Sequence, residues 1–124
     1  MAANRVKPPV QLIGPFEQLV LSAIAGIGKE AYGVPIHAKV SELMGKKVNM
    51  GSIYVTLMRM QDKGYIASDY GDMTPARRGM PKRFYRLEEK GIIALRDSFE
   101  LTQRASQTAS EWWRFGKWKL NRAK

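Results

Sequence analysis

Gly51-Ser52-Ile53-Tyr54-Val55-Thr56-Leu57-Met58-Arg59-Met60 places Ile53, Leu57 and Met60 at the spacing of a helix with one buried side. About twenty residues on, Arg77-Arg78-Gly79-Met80-Pro81-Lys82-Arg83-Phe84-Tyr85-Arg86 crowds cations around a Gly/Pro bend and reads as a basic hairpin. A short amphipathic helix followed by such a hairpin suits a duplex. The helix can enter the major groove while the hairpin tip reaches the backbone or minor groove. Together they set the expected fold class, mainly α with a small β-hairpin, a winged helix-turn-helix, to which the C-terminal pattern read below adds a long dimerisation helix.

The flanking pattern fills in the rest. Pro15 opens a helix over about 16–27, with Glu17 at its positive end and Phe16, Leu19, Val20, Ala23 and Ile27 on one face. Tyr32-Gly33-Val34-Pro35-Ile36 opens a second helix, whose expected buried stripe is Ile36, Val40, Leu43 and Met44 and whose stop is Gly45. Lys46, Lys47 and Val48 connect to Asn49, a cap for the third helix, which stops at Gly64. Tyr65 to Tyr70 and Lys82 to Leu87 read as paired strands, with Phe84 or Tyr85 inward according to register. From Glu88 the pattern is helical for about 28 residues, roughly 42 Å. Residues 1–14 are expected to be a flexible arm, 15–87 the winged-helix unit, 88–116 the dimerisation helix and 117–124 a basic tail.

The 124 residues carry 21 Lys and Arg against 11 Asp and Glu, a net charge of +10. That excess favours a polyanionic partner, with nucleic acid ahead of a membrane surface. The absence of cysteine rules out disulfides and thiolate metal sites. The apolar run around Leu19 to Ile27 is too short to span a bilayer, and the first ten residues have no signal-peptide core. A cytoplasmic protein is expected, with no membrane partner. His37 stands alone and reads as structural or exposed. No phosphate loop, catalytic triad or metal spacing is present, so neither an enzyme nor a cofactor is expected.

These residues resemble the PadR-like transcriptional regulators. Ala31-Tyr32-Gly33-Val34-Pro35-Ile36 is similar to that family's lead-in to its second helix. Gly51 to Met60 followed by Gly64-Tyr65-Ile66 resembles its recognition helix and first wing strand. Gly79 to Leu87 resembles its wing, and Glu88-Glu89-Lys90-Gly91 the start of its dimerisation helix. The resemblance implies a homodimeric, repressor-type regulator. Two positions depart from the pattern: Met80 replaces the wing's usual basic residue, and Glu88 replaces a capping threonine.

The expected duplex contacts are Lys46, Lys47, Asn49, Ser52, Tyr54, Val55, Thr56, Arg59, Arg77, Arg78, Lys82 and Arg83. Ser52 and Thr56 offer hydroxyls to base edges or phosphates, Val55 suits a thymine methyl, Tyr54 a phosphate, and Arg59 the backbone. A half-buried core role is equally open for Tyr54. Ile92, Leu95, Phe99, Thr102, Ser106, Ala109 and Trp113 form a seam at heptad spacing, which a twofold partner helix would cover. Trp112, Trp113 and Phe115 gather near its end. Interface packing is the favoured reading of these aromatics, and the family resemblance implies the alternative, stacking of a planar or phenolic effector near the dimer interface. Two other readings remain open: a winged-helix interaction module that does not read DNA, and a small-ligand sensor in which DNA binding is incidental.

Overall fold

The computed structural model describes residues 10–71 and 81–116. Its elements run α1 (Pro15–Ile27), a 3-10 turn (Gly28–Glu30), α2 (Gly33–Met44), α3 (Met50–Asp62), β1 (Ile66–Tyr70), β2 (Arg83–Leu87) and α4 (Glu89–Arg114).

Helix α1 starts at Pro15, whose fixed φ suits a first helical position. The N–H of the capping Gly14 donates to Glu17 Oε1 at 2.9 Å. The helix buries Val20, Leu21, Ala23 and Ile24, while Phe16, Leu19 and Ile27 are only partly covered. The buried stripe is thus wider than the sequence pattern suggests and turned toward Leu21 and Ile24. The cause is position: α1 packs against α2, α3, β2 and α4.

Helix α2 buries Ile36 and Val40 and ends at Gly45 in the left-handed region, φ 73°. Leu43 and Met44 correct the expected stripe, because both are exposed. The chain turns back after Gly45, and Val48 packs against the core instead. His37 and Ser41, one turn apart on α2, hold that residue at both peptide groups. His37 Nε2 lies 2.7 Å from the Val48 carbonyl, and the Val48 N–H donates to Ser41 Oγ at 3.1 Å.

The antiparallel ribbon pairs Ile66 with Leu87, Ser68 with Tyr85 and Tyr70 with Arg83. This register turns Tyr85 into the core and leaves Phe84 half-buried on the other face, edge-on to Tyr32 at 5.6 Å between ring centroids. The Tyr85 N–H also donates to the Ala31 carbonyl at 2.8 Å, tying the ribbon to the lead-in of α2.

Among the described residues, the buried positions of helix α4 are Gly91, Ala94 and Ser98, all near its start. The Glu88 N–H donates to the Tyr65 carbonyl at 2.9 Å, and a Cβ on Gly91 would overlap that same oxygen. Only glycine lets the first turn of α4 rest on this backbone. Part of the expected N-terminal arm is held in place. The Gln11 N–H donates to Asp97 Oδ2 and the Ile13 N–H to Ser98 Oγ, both at 3.1 Å. Residues 1–9 of that arm and the 117–124 tail lie outside the described residues.

Two glycine substitutions should therefore act in opposite directions. Gly91→Ala forces α4 off the Tyr65 carbonyl and should destabilise the fold by about 1–3 kcal/mol. Gly26→Ala, in a helix where no other element among the described residues comes within 4 Å of the new methyl, should stabilise it by about 0.5–1 kcal/mol. Urea unfolding of both variants checks the pair.

Candidate nucleic-acid interface

The N-terminus of α3 is fixed by Asn49, whose Oδ1 accepts from the N–H groups of Gly51 at 2.6 Å and Ser52 at 3.3 Å. This satisfies two of the donors that a helix start leaves open. Ile53, Thr56, Leu57 and Met60 face the core. Ser52, Tyr54, Val55, Met58 and Arg59 face outward.

Thr56 corrects the expected contact set. It is 2% exposed, three residues from Ile53 and four from Met60, so its hydroxyl is on the wrong side of α3 to meet a groove. Substituting it would disturb packing rather than base preference.

Tyr54 is half-exposed, and its ring runs along Gly33 at the start of α2. A Cβ on Gly33 would overlap the Tyr54 hydroxyl. The half-buried packing role of Tyr54 is therefore present: one side of the ring packs and the other meets solvent. The neighbouring Tyr32 carries Lys82, whose Nζ lies 4.4 Å above the ring centroid. The lead-in of α2 thus joins the recognition helix to the root of the wing.

Arg83 Nε donates to Ser68 Oγ at 2.8 Å, and its guanidinium lies 5.3 Å from the Tyr70 ring centroid. Burial pushes the nearby Tyr85 phenol above its usual 10.0, with Arg83 pulling it back down in part. Lys46 and Lys47 are exposed in the turn between α2 and α3. Arg59 differs from these cations. Its Nε and Lys63 Nζ each lie 3.8 Å from Glu17 Oε2, so α1 draws both toward itself. Arg77 and Arg78 lie outside the described residues.

Sequence reasoning missed Met58, which is 64% exposed. Its spacing of three from Val55, opposite the Ile53–Leu57–Met60 stripe, was the available signal. It also missed Glu17 as a partner for Arg59, a pairing across 42 positions that no local pattern shows.

On α4, Ile92, Phe99 and Trp113 are each about half-exposed, Thr102 and Ser106 are exposed, and Leu95 and Ala109 are partly covered. An open groove lined by Gln18, Ser22, Ile92, Leu95, Arg96 and Phe99 lies between α1 and α4. Trp112, Trp113 and Phe115 are all exposed. Trp112 and Phe115 share one side of the helix, and Trp113 belongs to the neighbouring side with the heptad row. Among the described residues no cluster of His, Cys, Asp and Glu could hold a metal ion, and no helix is long and apolar enough to cross a membrane.

A capped recognition helix packed on two others, with a hairpin at its side, defines a winged helix-turn-helix protein. Residues 20–97 match the model of the transcriptional regulator PadR-like family, and the chain belongs to that family. It is a transcriptional regulator and not an enzyme. Its structure is similar to a PadR family transcription regulator from Clostridium difficile, at 23% identity and a TM-score of 0.66, covering 81% of this chain and 99% of that one. It is also similar to a PadR-like transcriptional regulator from Bacillus cereus, at 25% identity and 0.65, covering 78% and 89%. The complex structure of hsRosR-S1 matches at 21% identity and 0.56, covering 80% and 90%. No curated protein matches the chain.

The cap gives this interface a direct check. Asn49→Ala should lower stability by about 1 kcal/mol in urea unfolding. Asn49→Ser keeps an acceptor and should recover most of that loss.

Proposed function

We propose that this chain is a homodimeric, sequence-specific double-stranded DNA-binding regulator that acts as a repressor in the cytoplasm. The observation carrying this reading is the uncommitted outer side of α3, flanked by Lys46 and Lys47 at its start and by Lys82 and Arg83 at the wing root. None of these four cations makes an ion pair among the described residues. Ser52, Val55 and the free edge of Tyr54 are offered to the groove, while the cations take phosphates. The net charge of +10 supports the same partner. Arg77 and Arg78 belong to the proposed wing contact on the strength of the sequence.

Ile92, Leu95, Phe99, Thr102, Ser106, Ala109 and Trp113 form the proposed dimer seam. The exposed apolar side chains among them support it, since a lone chain would leave Ile92, Phe99 and Trp113 in water. A twofold pair would present two recognition helices to successive turns of a duplex. The repressor role rests on the family resemblance. Trp112, Trp113 and Phe115 supply flat faces for a small aromatic effector, and tryptophan emission reads its binding directly.

Two measurements test this function. Anisotropy titrations against duplex DNA at several salt concentrations should show steep salt dependence. Lys82→Ala with Arg83→Ala should weaken binding to every duplex and flatten the slope by about 0.9 log units for each phosphate no longer neutralised. An unchanged slope would remove the wing root from the DNA footprint. Light scattering should give twice the 14.1 kDa chain mass. Ile92→Glu with Phe99→Glu should yield a monomer of unchanged helical content, and a wild-type monomer in dilute solution would end the dimer reading.

A further inference from the structure

The outer pole of α3 carries an unusual chemistry for a groove-reading helix. Opposite the buried Ile53, Thr56, Leu57 and Met60 stand Gly51, Val55, Met58 and Asp62. Val55 is 57% exposed and Met58 64%. No Arg, Lys, Asn or Gln occurs from Gly51 to Met58. Those are the side chains that form paired hydrogen bonds to guanine and adenine edges. Arg59, the next cation along, shares Glu17 with Lys63 on the α1 side. The Tyr54 hydroxyl end is packed on Gly33. What the pole can press into a groove is a branched hydrocarbon and a flexible thioether.

The floor of the major groove offers one apolar group to such side chains, the C5-methyl of thymine. Gly51, with no side chain, lets the first turn come close to the bases. Asp62, at the far end of the same pole, repels phosphate and favours insertion by the N-terminal half. The flanking cations Lys46, Lys47, Lys82 and Arg83 supply the charge complementarity that makes a duplex, and not an apolar protein surface, the occupant.

Resting on the DNA-binding function above, we propose that Val55 and Met58 recognise thymine through its C5-methyl group. Site choice then depends on methyl positions more than on hydrogen bonds to purines. Uracil pairs as thymine does but lacks this methyl, so it isolates the interaction.

The test uses the full chain and a duplex recovered by selection from random DNA, made once with thymine and once with uracil throughout. Wild-type protein should bind the uracil duplex about fourfold more weakly for each methyl it touches, the effect of one buried carbon. Val55→Ala with Met58→Ala alters two exposed positions, and circular dichroism checks its folding. This variant should show little difference between the two duplexes. Equal binding of both duplexes by the wild type would overturn the inference and leave DNA recognition standing. A uracil penalty undiminished in the variant would also overturn it, by assigning the loss to duplex shape. Failure of the wild type to bind any duplex would overturn the DNA-binding function itself.

Discussion

A thirteen-residue helix that gives four side chains wholly to the core has one pole left for everything else. That division of α3 governs the molecule. Ile53, Thr56, Leu57 and Met60 fix its rotation, because turning the helix would expose residues that are now 0–2% accessible. Its start is fixed separately, by the Asn49 cap and by the grip of His37 and Ser41 on Val48. With rotation and start both set, Tyr54 must lean on α2, Arg59 must lie within reach of Glu17, and Val55 and Met58 must point outward.

Apart from Lys46 and Lys47, the cations discussed around this helix and the wing root fall into two groups. Arg59 and Lys63 face Glu17, and Arg86 faces Asp69 and Glu88, so their charge is largely met within the chain. Lys82 and Arg83 rest over the faces of Tyr32 and Tyr70 instead. A ring face orders a cation through its quadrupole without cancelling its charge. The wing root therefore presents positive charges in restricted positions, suited to an anion from outside. Tyr32 and Tyr70 thereby hold cations beside a two-stranded ribbon that could not stand by itself.

Much of this architecture was legible from local rules. Pro15, Gly45, Asn49 and Gly64 mark helix ends for reasons contained in a few neighbouring residues, and the structure places the ends of α1, α2 and α3 there. Thr56 was misassigned because a hydroxyl suggests a polar surface. Its spacing from Ile53 and Met60 already put it inside. Leu43 and Met44 fit a buried period, yet among the described residues the last turn of α2 leaves both side chains exposed. Glu17, Gly33 and Gly91 act through contacts with Arg59, Tyr54 and Tyr65, all distant in sequence, so no window of local sequence could reveal them. Arg77 and Arg78, prominent in the sequence, lie outside the described residues.

The stretch from Gln11 to Ile13 reaches across 86 and 85 positions to grip Asp97 and Ser98. Those two side chains sit just where α4 leaves the body and becomes largely solvent-exposed. The leading segment and the far helix are thus stapled at the pivot about which α4 would swing. Anything that tugs on that segment, such as a bulky fusion or a cut just ahead of Gly14, pulls on the angle at which the helix projects. In a paired assembly that angle would set the separation between the two reading heads.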